Sequence, residues 1–158
     1  MQEASMNVLA TGTGKIRREM RSAWQREKTF LIKIITPERV FYEGTAIMAE
    51  LLYFGGRDRC FTPVISPLTV ILKPGVLTLT EESGKKKAAL HTGFAEILPD
   101  QISILAEAAE WPGEIDIKRA EAALKRAEER LQAHSSDTDM ARAETALLRA
   151  VARIEALR

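Results

Sequence analysis

Residues 107–119 read Glu107-Ala108-Ala109-Glu110-Trp111-Pro112-Gly113-Glu114-Ile115-Asp116-Ile117-Lys118-Arg119, and the chain changes character inside this run. Trp111 is the last aromatic residue, and Pro112 and Gly113 are the last helix breakers. From Glu114 to Arg158 alanine is the commonest residue, a composition that favours helix at nearly every position. Upstream, residues 30–111 carry short runs of alternating apolar and polar residues, broken by turn residues at the intervals of an antiparallel sandwich. The spacing predicts strands over 30–36, 45–51, 68–73, 76–80, 87–91, 94–98 and 102–107. Ser83-Gly84 and Pro99-Asp100 are expected to close hairpins, and Lys73-Pro74-Gly75 to make a tight reversal. The fold class read from this is β + α, an N-terminal antiparallel β-sandwich over 30–111 followed by a C-terminal antiparallel two-helix hairpin over 114–158.

Both helical segments carry a heptad-type seam. Ile117, Ala120, Leu124, Ala127, Leu131 and His134 recur at alternate spacings of three and four, and Met140, Ala143, Leu147, Ala150, Ile154 and Leu157 repeat the pattern. Ser135-Ser136-Asp137-Thr138 supplies the loop between them and an expected N-cap for the second helix. So short a connection makes the helices antiparallel neighbours. Each seam alternates alanine with a larger residue, and a buried methyl contributes only about 0.8 kcal/mol against ~1.5–3 for a buried Leu or Ile. Such a pair can be opened.

Composition narrows the partners. The chain has 23 Lys+Arg against 22 Asp+Glu, a net charge of +1, so no global field argues for nucleic acid. One cysteine, Cys60, excludes an internal disulfide, and His91 and His134 are too few for a zinc cluster. No uncharged stretch approaches the length of a membrane-spanning helix. Residues 1–29, with Lys15, Arg17, Arg18, Arg21, Arg26 and Lys28, read as a disordered basic tail or a mis-assigned start, with Met20 the candidate true beginning. Thr11-Gly12-Thr13-Gly14-Lys15 lacks the spacing and the preceding strand of a phosphate loop and reads as tail.

The run Ile35-Thr36-Pro37-Glu38-Arg39-Val40-Phe41-Tyr42-Glu43-Gly44 closely resembles the opening of the epsilon subunits of bacterial F-type ATP synthases. The resemblance continues in order through Pro67-Leu68-Thr69, Leu72-Lys73-Pro74-Gly75, the run from Ala88 to Pro99, and Ala106-Glu107 on to Ile115-Asp116. The resemblance implies a non-catalytic subunit at the foot of the central stalk. In that family the sandwich binds the gamma subunit and the c-subunit ring and couples proton-driven rotation to ATP synthesis. The helices permit turnover when folded down, and inhibit ATP hydrolysis when extended toward the beta subunits. The implied location is the cytoplasmic face of the bacterial plasma membrane, reached only through the complex. A free-standing ATP-sensing binding module is the alternative.

The resemblance also implies a regulatory ATP, with no cofactor required. Ile115-Asp116-Ile117-Lys118-Arg119-Ala120 matches the family's Ile/Leu-Asp-x-x-Arg-Ala sequence, which in some members binds ATP and holds the hairpin down. The further positions such members use are Glu110, Arg126, Arg149 and Arg153 here. Arg119 and Arg126 share one helix face, and Arg149 and Arg153 repel unless an anion or a carboxylate lies between them. The same arginines would otherwise form a solvated face or meet acidic residues of beta.

One segment departs from the family. Where a Glu-Gly-x-Ile/Leu-Gly-hydrophobic-Leu-Pro-x-His run is expected, the chain reads Phe54-Gly55-Gly56-Arg57-Asp58-Arg59-Cys60-Phe61-Thr62-Pro63-Val64-Ile65. Codons TTC GGA GGG AGA GAT AGG TGT TTT ACC CCG would encode Phe54 to Pro63, and the same bases read one position later give Ser-Glu-Gly-Glu-Ile-Gly-Val-Leu-Pro. The expectation is a local frame error restored before Pro67, with a diverged surface loop as the alternative. Either way the segment overlaps the surface that in the family faces the c ring. Neither histidine sits in a catalytic motif: His91 reads as a structural residue of a strand, His134 as the close of the first helix, and Trp111 and Pro112 as a pin between sandwich and hairpin.

Overall fold

The computed structural model describes residues 29–61, 67–133 and 139–158. Of the expected basic tail over 1–29 all but Thr29 lies outside them, as do residues 62–65 of the segment that departs from the family, His134, and the loop over 135–138. Among the described residues ten strands precede the helices: β1 (Phe30–Ile35), β2 (Val40–Ala46), β3 (Met48–Tyr53), β4 (Gly56–Phe61), β5 (Leu68–Leu72), β6 (Gly75–Glu81), β7 (Gly84–Leu90), β8 (Gly93–Ile97), β9 (Gln101–Ala106) and β10 (Ala109–Glu110). A 3-10 turn (Pro112–Glu114) leads to helices α1 (Ile117–Ala133) and α2 (Met140–Ala156).

The strands form a nearly closed sandwich in the order β10-β7-β6-β3-β5-β8-β9-β1-β2, with β4 on β3. All pairs are antiparallel except β1 with β9. Ser83-Gly84 closes the β6–β7 hairpin, where Gly84 holds φ +136°, and Pro99-Asp100 connects β8 to β9. Lys73-Pro74-Gly75 is not a reversal. β6 pairs with the start of β3 and β5 with its end, both antiparallel, so β5 and β6 run the same way along one strand. The proline bends the chain from one layer to the other, the corner by which a single strand serves two sheets. Ile47 makes the second corner, between β2 and β3, its N–H donating to Thr80 O at 2.7 Å.

Three strands escape the sequence reading. β2 begins at Val40, ahead of the strand expected from Thr45, because Glu43-Gly44 interrupts its alternation. Within the departing segment Gly56–Phe61 is a strand, pairing residue by residue with β3. β10 is only two residues long, and it pairs with Leu90 and Ala89 of β7.

The core follows the pleat. Phe30, Ile32 and Ile34 of β1 and Ile102, Ile104 and Ala106 of β9 point inward beside Leu51, Leu72, Leu77 and Leu79. β6 breaks the alternation, since Gly75 through Leu79 are all buried. Its inward Leu77 and Leu79 belong to the main core, while outward Val76 joins Ala89, its register partner on β7, and Ala156 in a second cluster. A helix covering the outer face explains why that face is also apolar.

That helix is α2, which packs on both β6 and β7. Its buried residues are Ala143, Ala150, Ala152 and Ala156, and those of α1 are Ala120 and Ala127. The alanines of the expected seam are thus the buried ones, while Leu124, Leu131, Leu147 and Ile154 are half-buried and Ile117 and Leu157 exposed. The N-cap of α2 is Asp139 rather than a residue of 135–138, its carboxylate accepting from the Arg142 N–H at 3.1 Å. No described helix is long and apolar enough to cross a membrane.

Candidate functional site: the seam between sandwich and helices

Asp116 caps α1, its carboxylate accepting from the Arg119 N–H at 3.1 Å, and its backbone carbonyl takes the Ala120 N–H at 3.0 Å. The cap fixes where the helix starts and therefore which face carries Arg119. Ala120 is buried, and Ile115 packs against the Val76, Ala89 and Ala156 cluster. Two members of the six-residue motif thus pack and one caps.

The root of the helices is pinned by aromatic stacking. Trp111 stacks on Phe41 at 4.5 Å between ring centroids, and Tyr42 meets it edge-on at 6.1 Å. Glu114 accepts from the Trp111 N–H at 2.8 Å and from Arg39 at 2.6 Å. The Arg39 guanidinium holds the Glu114 carboxyl below the usual carboxylate range. Trp111 therefore ties the linker to β2, as the sequence suggested.

Beside this root lies a cavity of about 350 Å³, lined by Glu110, Glu114, Asp116, Arg119, Ala120, Ala123, Arg126 and Arg153. Six of the eight residues named from sequence meet there: Glu110, Asp116, Arg119, Ala120, Arg126 and Arg153. Ile115 lies behind the wall. Arg149 is directed elsewhere, donating to Glu107 and reaching Thr92 Oγ1 at 3.4 Å. The two arginines of α2 that the resemblance assigns to phosphate are paired within the chain, Arg149 with Glu107 and Arg153 with Glu110. Arg119 and Arg126 have no ion-pair partner among the described residues.

Electrostatics follow from these pairs. A hydrogen bond from the Thr92 hydroxyl, at 2.7 Å, and the Arg149 charge hold the Glu107 carboxyl below its ordinary value. Burial pushes the Glu110 carboxyl up, but Arg153 and His91 outweigh it and leave the group below the ordinary range. His91, expected within a strand, follows β7 by one residue and is only 2% exposed, with Nε2 3.3 Å from Glu110 Oε2. Glu107 was missed as a site residue. Its signal was present, since it stands three residues before Glu110 in the run that resembles the family, but nothing in sequence says that α2 would lie over it.

The cavity offers an anion two unmatched cations. Its Glu110 and Glu114 carboxylates are each matched by an arginine, Asp116 is taken by the helix cap, and two guanidiniums remain unmatched two turns apart on α1. Among the described residues no group of His, Cys, Asp and Glu could hold a metal.

Comparison with known proteins agrees with this architecture. Residues 29–112 match the model of the ATP synthase delta/epsilon chain β-sandwich domain, and residues 114–158 that of its long α-helix domain. The ATP synthase epsilon chain of Clostridium kluyveri is 43% identical over 128 residues, 80% of this chain and 96% of that one. That of Bacillus velezensis is 42% identical over 112 residues, 71% of this chain and 84% of that one. A solved chain of the Euglena gracilis mitochondrial ATP synthase (OSCP/F1/c-ring) shares the fold at a TM-score of 0.71, with 19% identity and 82% of each chain covered. With two family models spanning its sandwich and its helices, and bacterial epsilon chains as its relatives, the chain belongs to the ATP synthase delta/epsilon chain family.

Proposed function

We propose that this chain is a non-catalytic subunit at the foot of the central stalk of a bacterial proton-translocating ATP synthase. Its sandwich seats on the gamma subunit and the c ring, coupling proton-driven rotation to ATP synthesis. Its helices regulate ATP hydrolysis, docked on the sandwich in the permissive state and extended toward the beta subunits in the inhibitory one. The chain then sits peripherally on the cytoplasmic face of the plasma membrane, held there by its partners.

The observation that carries the stalk reading is an apolar row on the layer that α2 leaves uncovered. Ile71, Phe94, Leu105 and Ile35 stand in register on β5, β8, β9 and β1, all on the outer face. Ile71 is 64% exposed and Phe94 45%. Contiguous exposed apolar residues of this kind mark an interaction surface. The docked helices support the regulatory part: two ion pairs and the Ala156 methyl against Val76 and Ala89 hold α2 down, a contact weak enough for a ligand or partner to bias. Regulatory ATP is the ligand we assign to the cavity, with Arg119 and Arg126 toward its phosphates.

The test is co-purification with the gamma subunit. Wild-type chain should form a stable complex, and Ile71→Asp with Phe94→Asp, both exposed and so tolerated by the fold, should abolish it. A folded wild-type chain that ignores gamma yet binds ATP would instead make the protein a free-standing ATP-sensing module.

A further inference from the structure

His91 is buried at the place where α2 meets the sandwich. Its N–H donates to Ala108 O at 3.0 Å, fixing the backbone, and its ring Nε2 lies 3.3 Å from Glu110 Oε2. That same oxygen accepts from Arg153 Nε at 2.5 Å. Nδ1 is buried with no hydrogen-bond partner. The charged groups that act on the ring are Glu110 of β10, and Arg149 and Arg153 of α2; Glu107, just past β9, feels the ring's charge in turn.

A neutral ring satisfies this arrangement with its hydrogen on Nε2, donating to Glu110. A second proton must go on Nδ1, which has no acceptor, in a site almost closed to water and under the repulsion of the Arg153 and Arg149 charges. When α2 lifts away, both arginines leave with it and the ring gains access to solvent. We propose that His91 makes the docking of α2 on the sandwich sensitive to pH, with acidification releasing the helices.

The sign follows from linkage. Burial first, then the Arg153 and Arg149 charges, lower the affinity of the docked ring for a proton, and Glu110 opposes them only in part. The undocked ring titrates nearer the ordinary imidazole value. Docking is therefore strongest above that value and weakens as pH falls through it. At pH 5.5 the docking constant drops by up to about tenfold relative to pH 8, the limit for a ring that ionises as an ordinary imidazole once undocked. Glu107 and Glu110 are held below the ordinary carboxylate range, so both stay ionised across this window.

The experiment uses the isolated full chain, so its failure is separate from any failure to assemble with gamma. Spin labels at Glu96→Cys on β8 and Glu144→Cys on α2, in a Cys60→Ser, His134→Gln background, report the distance between sandwich and helix from pH 8 to 5.5. A long-distance population should grow on acidification, and His91→Asn should leave the distance distribution independent of pH. A wild-type distribution that does not change, or an equal response in His91→Asn, overturns the proposal. Should His91→Asn fail to dock at all, the ring decides. An NMR titration of His91 with its midpoint coincident with helix release supports the proposal, and protonation without release overturns it.

Discussion

Arg153 of α2 donates to Glu110 of β10 at 2.5 Å, joining the last helix of the chain to the last strand of the sandwich. The two side chains are 30% and 29% exposed, so solvent screens the pair only in part. With Arg149 and Glu107 beside it, this contact is the polar half of what holds the helices down; Ala156 packed on Val76 and Ala89 is the apolar half.

Removing Arg153 strands the Glu110 carboxylate against neutral His91. Arg153→Ala should weaken docking by about 1–2 kcal/mol, and the charge-reversed pair Glu110→Arg with Arg153→Glu should recover part of it. Hydrogen exchange of α2 amides measures this: protection should fall in the single variant while that of β1 and β9 stays unchanged.

Ala156 is 3% exposed and lies against Val76 and Ala89. Ala156→Leu adds three carbons where there is room for a methyl, at a cost of about 1–3 kcal/mol if α2 stays docked. The helix should lift instead, leaving a thermal transition of the sandwich close to that of the wild type. A large loss of sandwich stability would mean that helix and sandwich form one cooperative unit.

Arg119 and Arg126 are the unmatched cations of the cavity. If ATP binds there, calorimetry on the full chain should show Arg126→Ala and Arg119→Ala each weakening binding by about 10- to 100-fold, the worth of a charge-assisted hydrogen bond. Arg130→Ala, on the same helix but outside the cavity lining, should have no such effect. Equal affinity in all three variants would place the nucleotide elsewhere.

The segment from Phe54 to Ile65 is open to a direct reading of its gene. The shifted frame across these codons should encode Glu-Gly-Glu-Ile-Gly-Val-Leu-Pro. Codons for Phe54 to Pro63 that yield no such run one base later would make the β4 sequence a genuine divergence.

The fold class was legible because its two halves use different residues. Aromatic and turn residues stop at Trp111, Pro112 and Gly113, and Gly84 and Pro99 mark hairpins by their own backbone chemistry. Pro74 misled because proline suits a bend between layers as well as a reversal, and only pairing of β5 and β6 to the same strand separates the two. Most of the cavity lining was named through the family resemblance, whose motif carries Asp116, Arg119 and Ala120 and whose further positions include Glu110, Arg126 and Arg153. The partners of Arg149 and Arg153 were not. Ala156, which packs on Val76 of β6 and Ala89 of β7, looks in sequence like any other helix alanine, so nothing told that Glu107 and Glu110 would lie beneath those arginines. A second buried face on a short alanine-rich helix has no periodic signature of its own.

The most direct test of the account is ATP hydrolysis by the catalytic complex reconstituted with this chain. Wild-type chain is compared with Glu107→Lys, Glu110→Lys, in which both ion pairs become repulsions and α2 is driven off the sandwich. The account predicts complexes of equal subunit composition, with hydrolysis at least severalfold lower in the released variant because its extended helices reach the beta subunits. Equal rates from equally assembled complexes, with the helices shown to be released, would contradict it.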